Sequence, residues 1–481
     1  MLPIKKDRVV SMACFDQTPE IPADLSITNR INRFLATPPF VIGLMLLTGA
    51  ANLFSLELAA YTVFSAVAVY TCLFANDLLA LTPLFICCYL TPSAGNNPGR
   101  NAQSVFSGAS GIYLACLGAL MAIALIFRVI RDRKRFFSKK RRLLDGMLVL
   151  LGAYLLSGVG SADYGTVAGK NLLFALVQGA AIILPYWLLS GGIDWKHVRR
   201  DYFAWIGFSA GGILVLQILW IYLGSNVVID GIIHRKQIFT GWGMYNNMGV
   251  MLAMMIPYAF CLATKYRRGW IGTVVGSVFL LCVLLTCSRS SILAASGIYA
   301  VCVFLMLHYA RNRRHNTLAL VIFISVAVLI GVLFHDQLLR LFSDLLGRGL
   351  DPSSRDDIYK EGLVLFGQNP VFGSTFYPPD YQPWDFSTVD AFSGIFPPRW
   401  HNTVIQLLAS CGIVGLAAYG LHRVQTIQLF WKQMDKENAF VGCSLLVMLV
   451  GSLFDCHFFN IGPTLLYSVA LAFAEYSPED K

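Results

Sequence analysis

Charge is scarce in this chain. Only 13% of its 481 residues are Asp, Glu, Lys or Arg, roughly half the share of an ordinary soluble domain. With 56% hydrophobic residues and a mean hydropathy of +0.61, there is too little polar surface to cover a water-soluble globule. Other features are also missing. The twelve cysteines form no CxxC pair and no Cys/His spacing of the zinc type, and most sit inside apolar runs, where they read as small buried hydrophobes. No metal and no cofactor are expected. Neither a G-x-G-x-x-G run in a strand–helix context nor an Asp-x-Asp pair is present, which argues against a cytoplasmic nucleotide-sugar enzyme. The N-terminus through about Arg33 has no apolar stretch followed by a small-residue cleavage site, so no signal peptide is expected. There is no solenoid-type repeat.

What is present is a succession of apolar segments. A spanning helix needs about 20 apolar residues. Candidate spans cover 37–54, 56–74, 77–92, 109–129, 143–159, 171–190, 202–223, 247–264, 269–287, 291–309, 316–334, 401–421, 438–455 and 461–475; 77–92 and 461–475 are the shortest. The fold class is therefore all-α: a polytopic membrane bundle of about 12–14 helices with a large extracytoplasmic loop carrying short helices.

The net charge of +10 reflects topology and anionic-lipid contact rather than nucleic-acid binding. Basic clusters at 128–142, 196–200, 265–268, 311–314 and 423–436 each fall between two spans, as the positive-inside rule expects of cytoplasmic loops. With the N-terminus inside, 27 of the 37 Lys and Arg lie on the cytoplasmic side. That parity puts both termini inside and the long 335–400 loop outside. The expected organisation is a cytoplasmic segment 1–34, a transmembrane bundle 35–475 and a cytoplasmic tail 476–481.

A bilayer scaffold does not require the insertion between Phe334 and His401, and long ordered loops in compact proteins are usually functional. It carries Arg340, Arg348, Arg355, Lys360 and Arg399, and nine aromatics from Phe372 to Trp400. Ser354, three residues before Asp357, suggests a capping box for a loop helix that Asn369-Pro370 would end. On the same side lie Arg289, in the polar break CSRSS, and His401-Asn402, at the start of the next span. Arg binds phosphate oxygens through a planar fork, and His can take a proton from an attacking hydroxyl. Outside the cell there is no ATP, so a glycosyl transfer there would draw on a preactivated, phosphate-linked donor. Each residue also has a plainer reading. Arg289 would be a headgroup anchor, Arg355 a partner of Asp351 or Glu361, and His401 an interfacial helix start. The aromatics around Trp384 and Trp400 fit an interfacial belt somewhat better than a sugar platform.

Across about 200–455 the chain resembles the O-antigen ligase / O-antigen polymerase superfamily of bacterial membrane glycosyltransferases. The resemblance rests on four pieces in order: TGWGMYNNMGVMLA, LLTCSRSSILA, SRDDIYKEGLVLFGQNPVFGSTF and HNTVIQLLASCGIVGLAAY. It implies metal-independent, inverting transfer of a glycan from undecaprenyl pyrophosphate, on the periplasmic or extracellular face of the bacterial plasma (inner) membrane. It implies that Arg289 and Arg355 hold the pyrophosphate and that His401 activates the acceptor hydroxyl. Substrate-binding positions implied alongside them are Arg235, Asn247, Asn402, Arg348 and Tyr359. The expected partners are a polyprenyl-pyrophosphate-linked glycan donor, a glycan, lipid or protein acceptor, and membrane lipids, with no nucleic acid. Ligase and polymerase share donor and residues and differ in acceptor, so both stay open. The alternative is a transporter or flippase for a lipid-linked or anionic substrate. It fits less well, because transporters place ionisable groups near the midplane and have no need for a one-sided loop.

Overall fold

The computed structural model describes residues 27–92, 108–138, 140–240, 242–347, 353–378 and 399–475. Arg348, the Ser354 side chain with its expected cap, Asp351, Trp384 and most of the aromatic 374–400 stretch lie outside the described residues.

Each expected span coincides with a helix. The chain runs through α1 (Ile27–Leu35), α2 (Pro38–Phe54), α3 (Glu57–Phe74), α4 (Leu81–Leu90), α5 (Gly108–Arg131), α6 (Arg133–Ser138), α7 (Leu144–Leu155), α8 (Tyr164–Gly192) and α9 (Tyr202–Gly224). Two hairpins follow: β1 (Val228–Ile229) with β2 (Ile232–Ile233), and β3 (Phe239–Thr240) with β4 (Gly243–Met244). Then come α10 (Tyr245–Lys265), α11 (Trp270–Leu285), α12 (Arg289–Tyr309) and α13 (Arg313–Leu333). The long loop holds α14 (His335–Leu341), α15 (Ser343–Gly347) and α16 (Ser353–Gln368), and α17 (Thr403–Lys432), α18 (Lys436–Gly451) and α19 (Ile461–Ala474) complete the described chain.

Among the described residues, eight helices are long and apolar enough to cross a membrane, or nine if α1 and α2, bent by 73°, form one span. Helices α4, α7, α11 and α19 are apolar but only 10–17 residues long. At 1.5 Å per residue they fall short of a 30 Å hydrocarbon layer, so they complete the bundle between longer neighbours.

Successive connectors alternate between the two ends. At one end Arg128 donates to the carbonyls of Ala75 and Asn76, the Arg311 amide to Thr264, and Arg200 pairs with Asp435. This is the basic end. At the other, the loop end, Gly158 donates to the Phe372 carbonyl and Thr403 to that of Ser452, and Asn460 donates to Asn247. One basic residue leaves its expected loop. Helix α17 continues to Lys432 and draws Arg423 into the bundle, where its guanidinium stacks on Tyr419, Phe458 and Tyr467 at 4.5, 4.7 and 4.9 Å. Cation–π contact offsets part of the cost of an intramembrane charge.

Helix α10 is the axis. It is apolar on every face, as a helix surrounded by others must be, and 94% of its spanning window is buried. Helices α5 and α13 are outermost, with 11% buried. In α13 the only buried residue is Asn316, whose amide donates to the Ala263 carbonyl at the basic end.

Candidate active site at the loop end

The site is built on the start of α17. Trp400 is only 1% exposed and its amide donates to Gln406 Oε1 at 3.1 Å. This removes it from any interfacial belt or sugar platform: the ring is a packing anchor. A β-carbon on Gly362 of α16 would lie 3.2 Å from it. His401 follows in the left-handed region with φ 49, a conformation that costs an L-residue about 1–2 kcal/mol and that His tolerates better than most. Asn402 then caps the helix. Its Oδ1 accepts from the amides of Val404 and Ile405 at 2.8 and 3.2 Å, a cap that contributes about 1 kcal/mol. Its Nδ2 donates to the Leu453 carbonyl at 2.9 Å, so both polar ends of Asn402 are engaged within the fold.

These bonds stitch α17 to the connector after α18, where Asp455 lies. Asp455 is 4% exposed. A carboxylate buried this deeply is costly unless its oxygens are satisfied. Oδ1 lies 3.3 Å from His401 Nδ1 and accepts from the Cys456 amide at 2.7 Å. Oδ2 accepts from Asn246 Nδ2 at 2.9 Å. Burial alone would raise the Asp455 pKa. The hydrogen bond and charge of His401, with His457 and Arg399 nearby, outweigh it and hold the carboxyl well below the usual carboxylate range. Asp455 is therefore an ionised acceptor. It fixes Nδ1 of His401 as the protonated nitrogen and leaves the Nε2 lone pair for another group.

The arginines approach from two sides. Arg355, in the first turn of α16, donates through Nη1 to the Phe454 carbonyl at 2.6 Å, one residue before Asp455. Tyr359, one turn on, donates to the His401 carbonyl at 3.2 Å. Burial raises its phenol pKa while the charge and hydrogen bond of Arg355 lower it, with a net rise, so it stays a donor. Arg289 is half-buried at the first residue of α12. Its helix reaches the site through Ser291, whose hydroxyl donates to the Asn246 carbonyl at 3.4 Å.

The Gly/Asn-rich start of α10 supplies the floor. Asn246 holds Asp455, and Asn247 Oδ1 accepts from Asn460 at 2.7 Å. Arg235 stacks on Tyr245 at 5.1 Å, beside Asn246 in the chain. Cys287 and Cys456 are both buried near this end, and each carries its own thiol. Burial pushes that of Cys456 up to about 12.

Sequence reasoning assigned no role to Asp455, Asn246 or the hairpins. The signal for Asp455 was an acid at a helix end in a chain with few acids near its spans. The signal for the first hairpin was Asp230-Gly231 between Val228-Ile229 and Ile232-Ile233. Their positive φ values, 52 and 75, give the turn that joins two strands across a two-residue loop.

Comparison with known proteins bears on the same region. No curated protein matches the chain. Residues 274–420 match the family model described as O-Antigen ligase, a stretch that contains Arg289, Arg355, Tyr359 and His401 and ends before Asp455. The protein is a multi-pass, all-α membrane protein whose residues 274–420 are similar to the O-antigen ligase family, which supports a place in the O-antigen ligase / O-antigen polymerase superfamily.

Proposed function

We propose that the chain is a bacterial inner-membrane glycosyltransferase that moves a glycan from undecaprenyl pyrophosphate to an acceptor hydroxyl on the outer face. The observation that carries this reading is the His401–Asp455 pair, set among arginines in a chain whose residues 274–420 match the O-antigen ligase family model. His401 Nε2 takes the proton of the acceptor hydroxyl. The acceptor oxygen forms a bond to the anomeric carbon as the bond from that carbon to the pyrophosphate oxygen breaks. The electron pair leaves with the pyrophosphate. Attack from the side opposite the leaving group inverts the anomeric centre. Asp455 stabilises the imidazolium that forms on His401. Arg355 and Arg289 offset the charge that grows on the leaving group, work that preorganised cations do best in a water-poor site. Arg235, which stacks on Tyr245, and Asn247, on α10, line the approach, and Arg348 is the further cation that the sequence of the long loop offers. On this reading guanidinium groups supply the charge stabilisation and no metal is needed.

The positive-inside count and the alternation of connectors support an outward-facing loop end. The acceptor decides between ligase and polymerase. A glycan profile of a strain lacking this gene tests the reading. Loss of all but one repeat unit identifies a polymerase, untransferred long chains a ligase, and an unchanged profile overturns both.

A further inference from the structure

Helix α17 does not run unbroken. At Gly412 its backbone leaves the helical region (φ 63, ψ −158). Backbone freed inside a bilayer must find partners in the protein. Here the chain leaving α16, Asn369-Pro370-Val371-Phe372-Gly373, fills the break. The amides of Ile413 and Val414 donate to the carbonyls of Pro370 and Val371 at 2.9 and 3.3 Å, and Ser374 donates to that of Ala409 at 2.7 Å. Behind the strap, the Gly158 amide donates to the Phe372 carbonyl at 2.8 Å and the Ser157 hydroxyl to that of Ser410 at 2.7 Å. The fit leaves no space for a side chain. A β-carbon on Gly412 would lie 2.4 Å from the Val371 oxygen, and one on Gly373 would lie 2.3 Å from the Ser410 carbonyl carbon. Broken helices in transporters expose their half-helix ends to substrate. These ends are taken by the chain's own backbone, so the break is a socket.

The socket joins the parts that carry the site. The strap starts at the end of α16, which bears Arg355, and seats in the helix that begins beside His401. It continues to Phe376, whose ring packs 5.8 Å from that of Phe459 in the Asp455 connector. We infer that Asn369, Gly373 and Gly412 are positioning residues that set the distance between Arg355 and His401. The inference rests on the proposed reading that those two side chains act on one substrate. A displacement of about 1 Å in such a constellation can cost about 100-fold in rate.

The test uses the full-length protein in lipid nanodiscs. A β-carbon on Gly362 would lie 2.7 Å from Ile405 Cγ2, so Gly362→Cys with Ile405→Cys sits within disulfide reach and reports the α16–α17 distance. The cross-linking rate is measured with the native strap, with Gly412→Ala, and with the milder Asn369→Ala, which loses only the side-chain bond to the Val159 carbonyl. Slower cross-linking in either variant is expected. It should come with a kcat lowered at least about tenfold, a donor KM within about twofold, and recovery of transfer once the cross-link has formed. Native cross-linking rates in both variants overturn the inference, as does native kcat in a variant that cross-links slowly. If the protein with its native strap transfers no glycan, the proposed function fails, while the cross-linking rates still decide on the strap.

Discussion

His401 and Asp455 stand 54 positions apart in the chain, yet His401 Nδ1 and Asp455 Oδ1 are 3.3 Å apart. Helices α17 and α18 descend and return between them, so the pair closes at one end of the bundle. A carboxylate behind an imidazole fixes its tautomer and stabilises its protonated form.

The first prediction concerns that tautomer. In Asp455→Asn, the side-chain oxygen keeps the Asn246 bond, the new amide faces His401 Nδ1, and the Cys456 amide loses its acceptor. Nδ1 must then accept, and Nε2 carries the proton it should receive. Transfer should fall about 10²–10⁴-fold with folding intact. Steady-state kinetics on folded protein check this, and a native kcat would remove Asp455 from the mechanism.

Arg289→Lys and Arg355→Lys keep the charge and lose the fork. If each guanidinium binds phosphate oxygens in pairs, each variant loses about one charge-assisted hydrogen bond, worth about 1.5–3 kcal/mol. That corresponds to about 10–150-fold in kcat/KM for the donor. Unchanged kinetics in Arg289→Lys would reduce Arg289 to a headgroup anchor.

Asn402 separates capping from tethering. Asn402→Asp keeps the oxygen that caps α17 and loses the donor to the Leu453 carbonyl. Asn402→Ala loses both. The alanine variant should be less stable by about 1 kcal/mol more than the aspartate variant, while both lose activity because the connector carrying Asp455 loses one of its ties to α17, keeping that between Thr403 and Ser452. Paired melting and activity measurements distinguish the two effects.

His457 supplies a pH dependence. Its ring is fully buried with neither nitrogen hydrogen-bonded among the described residues. Burial pushes its pKa down to about 4, against the opposing pull of Asp455. The unfolded chain therefore binds a proton that the folded one refuses between about pH 6.5 and pH 4. Its contribution is complete above that window and is lost as pH falls through it. His457→Phe should flatten the loss of melting temperature between pH 6.5 and 4.5. An unchanged slope would show that the ring does not sense pH.

Orientation is testable without activity. Single cysteines in place of the exposed Val228 and Leu339 should react with a membrane-impermeant maleimide from outside the cell. Cysteines in place of Arg314 and Met434, at the basic end, should react only after permeabilisation. The reverse pattern would invert the proposed topology.

The helices were legible because each apolar run reports directly on what the bilayer or the bundle accepts. Their lengths were not, since hydropathy does not mark where a buried helix stops. Leu144–Leu155 is far shorter than its apolar run, and α17 runs past the expected end to Lys432. The loop helix ends where Asn369-Pro370 signalled a stop, while the expected cap at Ser354 lies outside the described residues.

By itself the sequence determined that this protein is an all-helical membrane bundle with one elaborated end, and it marked Arg289, Arg355 and His401 as residues of that end. Composition and local pattern suffice there, because burial in lipid and helix capping act over a few residues. Only the tertiary structure decided that Asp455 and Asn246 back His401, that Trp400 is a buried anchor, and that the Asn369–Gly373 strap seats in the broken helix at Gly412. Those contacts join segments tens to hundreds of residues apart, and their energies depend on distances that exist only once the helices have packed.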